Sequence, residues 1–307
     1  MDIIEIKGLK KYFKEVKAVD DISFSVKEGK LFAFLGLNGA GKSTTINIMC
    51  GSLSKDDGKI FIDGIDIDKD LDSIKSRVGI VFQASVLDKN LNAYDNLKTR
   101  ALLYSMSNKE FEDKLEELTV LLDLKDILYR PLTKLSGGQR RKIDIARALI
   151  HSPKILILDE PTTGLDPQTR IKVWEVINDL REKNNLTVFL TTHYMEEASE
   201  ADYVVILDNG KIVASDSVNE LKNKYASDFI KLYFNKNNKK NMLEKINKLG
   251  LKYRENSECF EIEVSNVKEA KELIIKYSEL FDDFEIIKGK MDNVFLNVTG
   301  KDIKEGI

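Results

Sequence analysis

Cysteine is scarce in this chain. Among 307 residues there are two, Cys50 and Cys259, too few for a disulfide framework. Cys50 falls in an apolar helical pattern, which suits a buried thiol. Histidine is equally rare: His151 and His193 lie far apart in sequence, and no metal-ligand cluster accompanies them. An excess of one charge is also missing. The 48 basic and 51 acidic residues leave a formal net charge of −3, so no nucleic-acid partner is expected, because a phosphate backbone demands a basic surface. No stretch approaches the length of a membrane-spanning segment. The first residues, Met1 to Lys7, alternate polar and apolar like a strand and lack the basic start and apolar run of a signal peptide. A cytoplasmic location is therefore expected. There is no internal repeat, low-complexity tract or long heptad array.

What is present is an alternation of strand-like and helix-like patterns. Apolar runs at 30–35, 154–158 and 186–191 read as strands buried on both faces of a parallel sheet. Between residues 84 and 135 the pattern turns mostly helical, with Phe111, Leu115, Leu118 and Leu122 on one face. From Ser227 the composition shifts to Lys, Asn and Glu. The expected elements there are a strand over 229–234, a helix over 239–249, a strand over 259–264, a helix over 267–280, a strand over 284–287 and a further strand over 293–298. That order suggests a small α+β domain of ferredoxin-like type.

Gly36-Leu37-Asn38-Gly39-Ala40-Gly41-Lys42-Ser43 fits a phosphate-binding loop, with a strand before it and a helix, starting at Ser43-Thr44, after it. Glycines let successive N–H groups turn toward an anion. The helix adds its positive end, Lys42 a full charge, and Ser43 a hydroxyl able to ligate Mg²⁺. Asp159-Glu160 closes the strand at 155–158, where an open α/β sheet places its chemistry. An Asp there can hold Mg²⁺, and the adjacent Glu can orient and deprotonate a water. Ser136-Gly137-Gly138 opens another helix and forms a second anion site. Read locally, it is an ordinary helix cap.

Two further stretches resemble a known family. Leu135-Ser136-Gly137-Gly138-Gln139 is similar to the signature of ABC ATPases at every position. Thr163-Gly164-Leu165-Asp166 resembles the family's D-loop, Thr192-His193 its switch histidine and Gln83 its Q-loop glutamine. Tyr12 matches the aromatic that stacks on adenine, with a plain core aromatic as the alternative.

The resemblance, covering about residues 1–223, implies an α/β P-loop ABC ATPase domain at 1–226, with a helical subdomain at about 84–150; the composition change leaves an accessory α+β domain at 227–307. The resemblance implies ATP bound by Tyr12, Gly36, Leu37, Asn38, Gly39, Ala40, Gly41, Lys42, Ser43 and Thr44. Mg²⁺ is expected on Ser43, Gln83 and Asp159, and hydrolysis through Glu160, His193, Gln83 and Lys42. A head-to-tail dimer, with itself or a paralogue, would bring Leu135 to Gln139 of one chain to the other's ATP, with Gly164, Leu165 and Asp166 at the junction. A separate integral membrane permease is the implied partner, holding the chain at the inner face of the cell membrane. Val86, Leu87 and Leu91 are the expected docking residues. The segment 86–97 and the tail at 292–300 resemble the drug- and antibiotic-export branch, so the cargo class is a drug, antibiotic, lipid or ion. The competing readings are a soluble ABC ATPase acting on ribosomes or chromosomes, for which a second cassette or a long coiled coil is lacking, and a regulatory module without turnover, against which Glu160 and His193 stand.

Overall fold

The computed structural model describes residues 1–235, 238–264, 267–281 and 283–301. Contacts divide the chain into two compact units, Met1–Ser215 and Asp216–Ile307. Among the described residues no helix is long and apolar enough to cross a membrane.

The first unit opens with β1 (Asp2–Phe13), β2 (Val16–Lys27) and β3 (Leu31–Leu35), then α1 (Lys42–Met49), β4 (Asp57–Ile62), β5 (Ile65–Asp66), α2 (Leu71–Lys75) and β6 (Val78–Val81). The helical stretch holds α3 (Ala93–Leu102), α4 (Asn108–Leu122), a 3₁₀ turn at Leu132–Lys134 and α5 (Gly137–Leu149). There follow β7 (Ile155–Asp159), α6 (Pro167–Asn184), β8 (Thr187–Thr192), α7 (Met195–Ala198), β9 (Tyr203–Asp208) and β10 (Lys211–Asp216). The expected helical subdomain at 84–150 thus contains α3, α4 and α5. Phe111, Leu115, Leu118 and Leu122 of α4 are buried, as their helical spacing requires.

Two sheets build the core. β2-β1-β4-β5 is antiparallel, while β10-β9-β3-β8-β7-β6 holds the parallel strands β9, β3, β8, β7 and β6. The apolar runs of β3 and β7 are buried at every residue, as expected of strands covered on both faces. Phe24, Phe32, Phe34 and Phe189 pack between the sheets with ring centroids 5.1–6.4 Å apart. Parallel register has a functional consequence. Leu35 pairs Thr192, Asp159 pairs Thr191 and Val81 pairs Leu158, so β3, β6, β7 and β8 all release their C-terminal segments at one sheet edge.

The second unit begins with α8 (Val218–Tyr225), then β11 (Asp228–Tyr233), α9 (Lys239–Lys248), β12 (Tyr253–Glu255), β13 (Cys259–Val264), α10 (Val267–Tyr277), β14 (Asp283–Ile287) and α11 (Met291–Thr299). Its sheet runs β12-β13-β11-β14, antiparallel throughout, which is the split β-α-β order of the ferredoxin-like arrangement. Ile230, Met242, Ile246, Phe260, Ile262 and Val264 form its core.

Two expectations for this region change. The strand expected over 293–298 is instead helix α11, because Met291, Val294 and Phe295 are buried at i, i+3 and i+4. β12, a three-residue strand, had no apolar alternation long enough to mark it. The boundary also moves from 226 to 215, since α8 packs on α11 and Asn297 Nδ2 donates to the Tyr225 carbonyl at 2.8 Å.

Candidate active site

The sheet edge assembles the site. After β3 the chain turns through Gly36–Gly41 into α1. Gly41 adopts φ 107°, and a Cβ placed on it would lie 2.3 Å from the Ala18 carbonyl oxygen, so no side chain fits. Gly39, at φ 84°, meets nothing within 4 Å and leaves the mouth of the loop open. Lys42 is 4% exposed. Its Nζ donates to the Gly36 and Leu37 carbonyls at 2.7 and 3.2 Å and lies 3.4 Å from Glu160 Oε1. Burial lowers the Lys42 pKa, and the Glu160 charge opposes that shift.

Glu160 is the hub. It follows β7 in the left-handed region, φ 46°, a strained position for a residue with a side chain. Gln83 Nε2 donates to its Oε2 at 2.9 Å and Thr163 Oγ1 at 3.3 Å. His193 Nδ1 lies 3.3 Å from the same oxygen. The His193 contact, and after it the Lys42 charge, hold the Glu160 carboxyl below the ordinary glutamate range against the pull of burial. Asp159 shifts the other way. Burial raises its pKa, although Thr191 Oγ1 donates to its Oδ1 at 2.5 Å. Adjacent carboxyls driven in opposite directions are a pattern of acid–base sites.

A cavity of about 540 Å³ opens over this edge, lined by Asn38, Gly39, Ala40, Gly41, Lys42, Ser43, Thr44, Gln83 and Glu160. Val16, Lys17 and Asn209 also line it. They carry no motif, and only the fold brings them here. Tyr12 does not line the cavity. Its hydroxyl donates to Asp20 at 2.7 Å, and that bond, followed by burial, pushes its pKa up to about 12.

The signature lies elsewhere in the unit. Ser136 caps α5, with its Oγ accepting from Gln139 N at 3.2 Å while Gln139 Oε1 accepts from Ser136 N at 3.0 Å, a reciprocal capping box. A Cβ on Gly138 would lie 2.3 Å from Thr169 Cγ2, and one on Gly137 3.8 Å from Leu165. Signature and D-loop segments therefore sit side by side, neither lining the cavity. Asp166 caps α6 through Thr169 N at 3.0 Å. Leu135 is buried beneath the turn. Of the three expected docking residues, Leu87 is buried, whereas Val86 is 48% exposed.

Two buried polar residues escaped the motif reading. Glu197, 3% exposed, accepts from Thr162 Oγ1 and from Thr192 Oγ1, the latter at 2.6 Å. Arg141, 6% exposed, donates to backbone carbonyls around Glu160. Only their burial marks them, and burial is a tertiary property.

Oxygen donors from Ser43, Gln83 and Asp159 suit a hard cation such as Mg²⁺. Among the described residues no group of three His, Cys, Asp or Glu gathers to cage a metal.

Comparison with known proteins agrees with this geometry. The ABC transporter family model matches residues 19–163. The daunorubicin/doxorubicin resistance ATP-binding protein of Streptomyces peucetius is 31% identical over 97% of this chain and 92% of its own length. The linearmycin resistance ATP-binding protein of Bacillus subtilis is 36% identical over 74% of this chain and 73% of its own. A dimeric post-hydrolysis form of the ATP-binding cassette MJ0796, bound to ADP and Pi, is 28% identical with a TM-score of 0.63, covering 70% of this chain and 98% of that one. With a phosphate loop, a strand-end carboxylate pair and a relative along nearly its whole length, the chain belongs to the ATP-hydrolysing, ATP-binding proteins of ABC transporters, beside relatives named for drug and antibiotic resistance.

Proposed function

We propose that two copies of this chain, or one copy and a paralogue, close head-to-tail around two MgATP and drive a separate membrane permease that exports a drug, antibiotic, lipid or ion. The observation that carries this reading is the convergence of Lys42, Gln83 and His193 on Glu160 at 2.9–3.4 Å. Loop N–H groups of Gly39, Gly41 and Lys42 receive the phosphates, with the Lys42 ammonium on the outer pair. Glu160, ionised at neutral pH, accepts a proton from water as the water oxygen attacks the γ-phosphorus in line. The bond to the β–γ bridging oxygen breaks, leaving ADP and phosphate. His193 and Gln83 hold Glu160 and the water in place. When bound, Mg²⁺ would be held by Ser43, Gln83 and Asp159 and would supply charge neutralisation for the phosphates. Ser136 and Gly138, exposed or half-buried and away from their own cavity, serve the partner's ATP. Tyr12 stacks on the adenine once released from Asp20. The segment after Gln83, with Val86 exposed, meets the permease.

Sedimentation of the Glu160→Gln protein tests the assembly. With MgATP it sediments as a dimer, and Ser136→Arg in the same background returns it to monomer. A Glu160→Gln protein that stays monomeric at saturating MgATP contradicts the proposal.

A further inference from the structure

Arg141 lies on α5, two positions beyond the last signature residue, yet it reaches into the neighbouring chemistry. Nε donates to the Pro161 carbonyl at 2.5 Å and Nη1 to the Phe82 carbonyl at 2.6 Å. Nη2 lies 3.2 Å from the Glu160 carbonyl and 3.5 Å from that of Asp159. Four carbonyls from two chain segments thus share one guanidinium. The planar fork suits this work, since its donors point in fixed, divergent directions that an ammonium cannot match. One segment ends β6 and leads directly into Gln83. The other ends β7 and carries Glu160 in its left-handed conformation, φ 46°, which persists only under restraint from its surroundings. One turn along α5, Asp144 is 5% exposed, with Ser85 and the Val86 backbone beside its carboxylate. The helix therefore holds the Gln83 segment through Arg141 and Asp144, and the Glu160 segment through Arg141.

We infer that Arg141 is a positioning residue: it sets Gln83 and Glu160 for water activation and ties them to the helix that begins at the signature. It touches no reacting atom. A tilt of α5 moves the carbonyls that orient both side chains. The inference rests on the reading of Glu160 as the base that activates water.

The test uses full-length protein carrying Arg141→Lys and Arg141→Met, each alone and with Glu160→Gln. Thermal melts, KM and kcat for MgATP, and single-turnover hydrolysis followed over hours are measured. Arg141→Lys is expected to melt within about 5 °C of the parent. Its KM should stay within about threefold while kcat falls about tenfold or more, as for a displaced reacting group. Because Arg141 acts on water activation through Glu160 and the Gln83 that holds it, adding the lysine to Glu160→Gln should slow single turnover by less than about twofold.

A folded Arg141→Lys protein with kcat within about twofold of the parent overturns the inference. So does a full further loss in the Glu160→Gln background. Should Arg141→Met fail to fold, the lysine variant decides. Normal turnover by Glu160→Gln alone sinks the reading of Glu160 instead, whereas loss there with normal Arg141→Lys turnover sinks only this inference.

Discussion

Lys42 Nζ and Glu160 Oε1 lie 3.4 Å apart, with the two side chains only 4% and 7% exposed. Each is the other's counter-charge in a place where neither would be stable alone. The proposed phosphate-binding residue and the proposed water-activating residue are therefore joined as a buried ion pair.

Removing the cation separates binding from chemistry. Lys42→Ala should weaken ATP binding by about 10- to 100-fold, the range of a lost charge-assisted hydrogen bond. Isothermal titration with a slowly hydrolysed ATP analogue measures it. An unchanged affinity removes Lys42 from the phosphate site.

The loop depends on backbone room as much as on charge. Gly41→Ala places a methyl 2.3 Å from the Ala18 carbonyl at φ 107°. A destabilisation of about 1–3 kcal/mol is expected from such strain, together with loss of nucleotide binding. Urea unfolding and analogue titration check both. Gly39→Ala, which meets no atom within 4 Å, should cost stability through its φ of 84° alone and serves as the comparison.

Ser136 combines a structural and a proposed functional role, and the two differ in size. Loss of its cap on α5 should cost about 1 kcal/mol in Ser136→Ala. Its proposed contact with the partner's nucleotide should cost about 100-fold in turnover, like an oxyanion-type donor, with ATP binding to the single chain retained. A loss of turnover no larger than the loss of folded protein returns Ser136 to capping alone.

The two carboxyls predict opposite responses to pH. Glu160 has a depressed pKa in the folded protein, so its contribution to stability is present above the unfolded glutamate value and is lost as pH falls through the folded one. Asp159 has a raised pKa. Its contribution is complete below the unfolded aspartate value and is lost as pH rises through the folded one. Above the folded pKa, ionised Asp159 therefore costs stability. Asp159→Asn should raise the melting temperature there by about 2 °C or more, and the gain should shrink as pH falls toward 4. A variant less stable than the parent above that pKa contradicts this account.

Much of the first unit was legible because its chemistry is local. β3 and β7 announce themselves as apolar runs, and the phosphate loop needs glycine where φ is positive. The family resemblance was carried by short motifs in order along the chain, and the branch resemblance by segments 86–97 and 292–300. The left-handed turn at Glu160, the Tyr12–Asp20 bond and the burial of Leu87 depend on neighbours distant in sequence, and no local pattern encodes them. Arg141 and Glu197 belong to no motif, and only the fold buries them. In the second unit, β12 is too short to show alternation. α11 was mistaken for a strand because Asn293-Val294-Phe295-Leu296 alternates too little to separate a period of 2 from one of 3.6.

The most direct test of the whole account is steady-state ATP hydrolysis by Glu160→Gln at saturating MgATP, with ATP binding measured on the same preparation. The account predicts unimpaired binding and a turnover lower by about 100-fold or more, the contribution of a positioned general base. Turnover equal to that of the parent would contradict it.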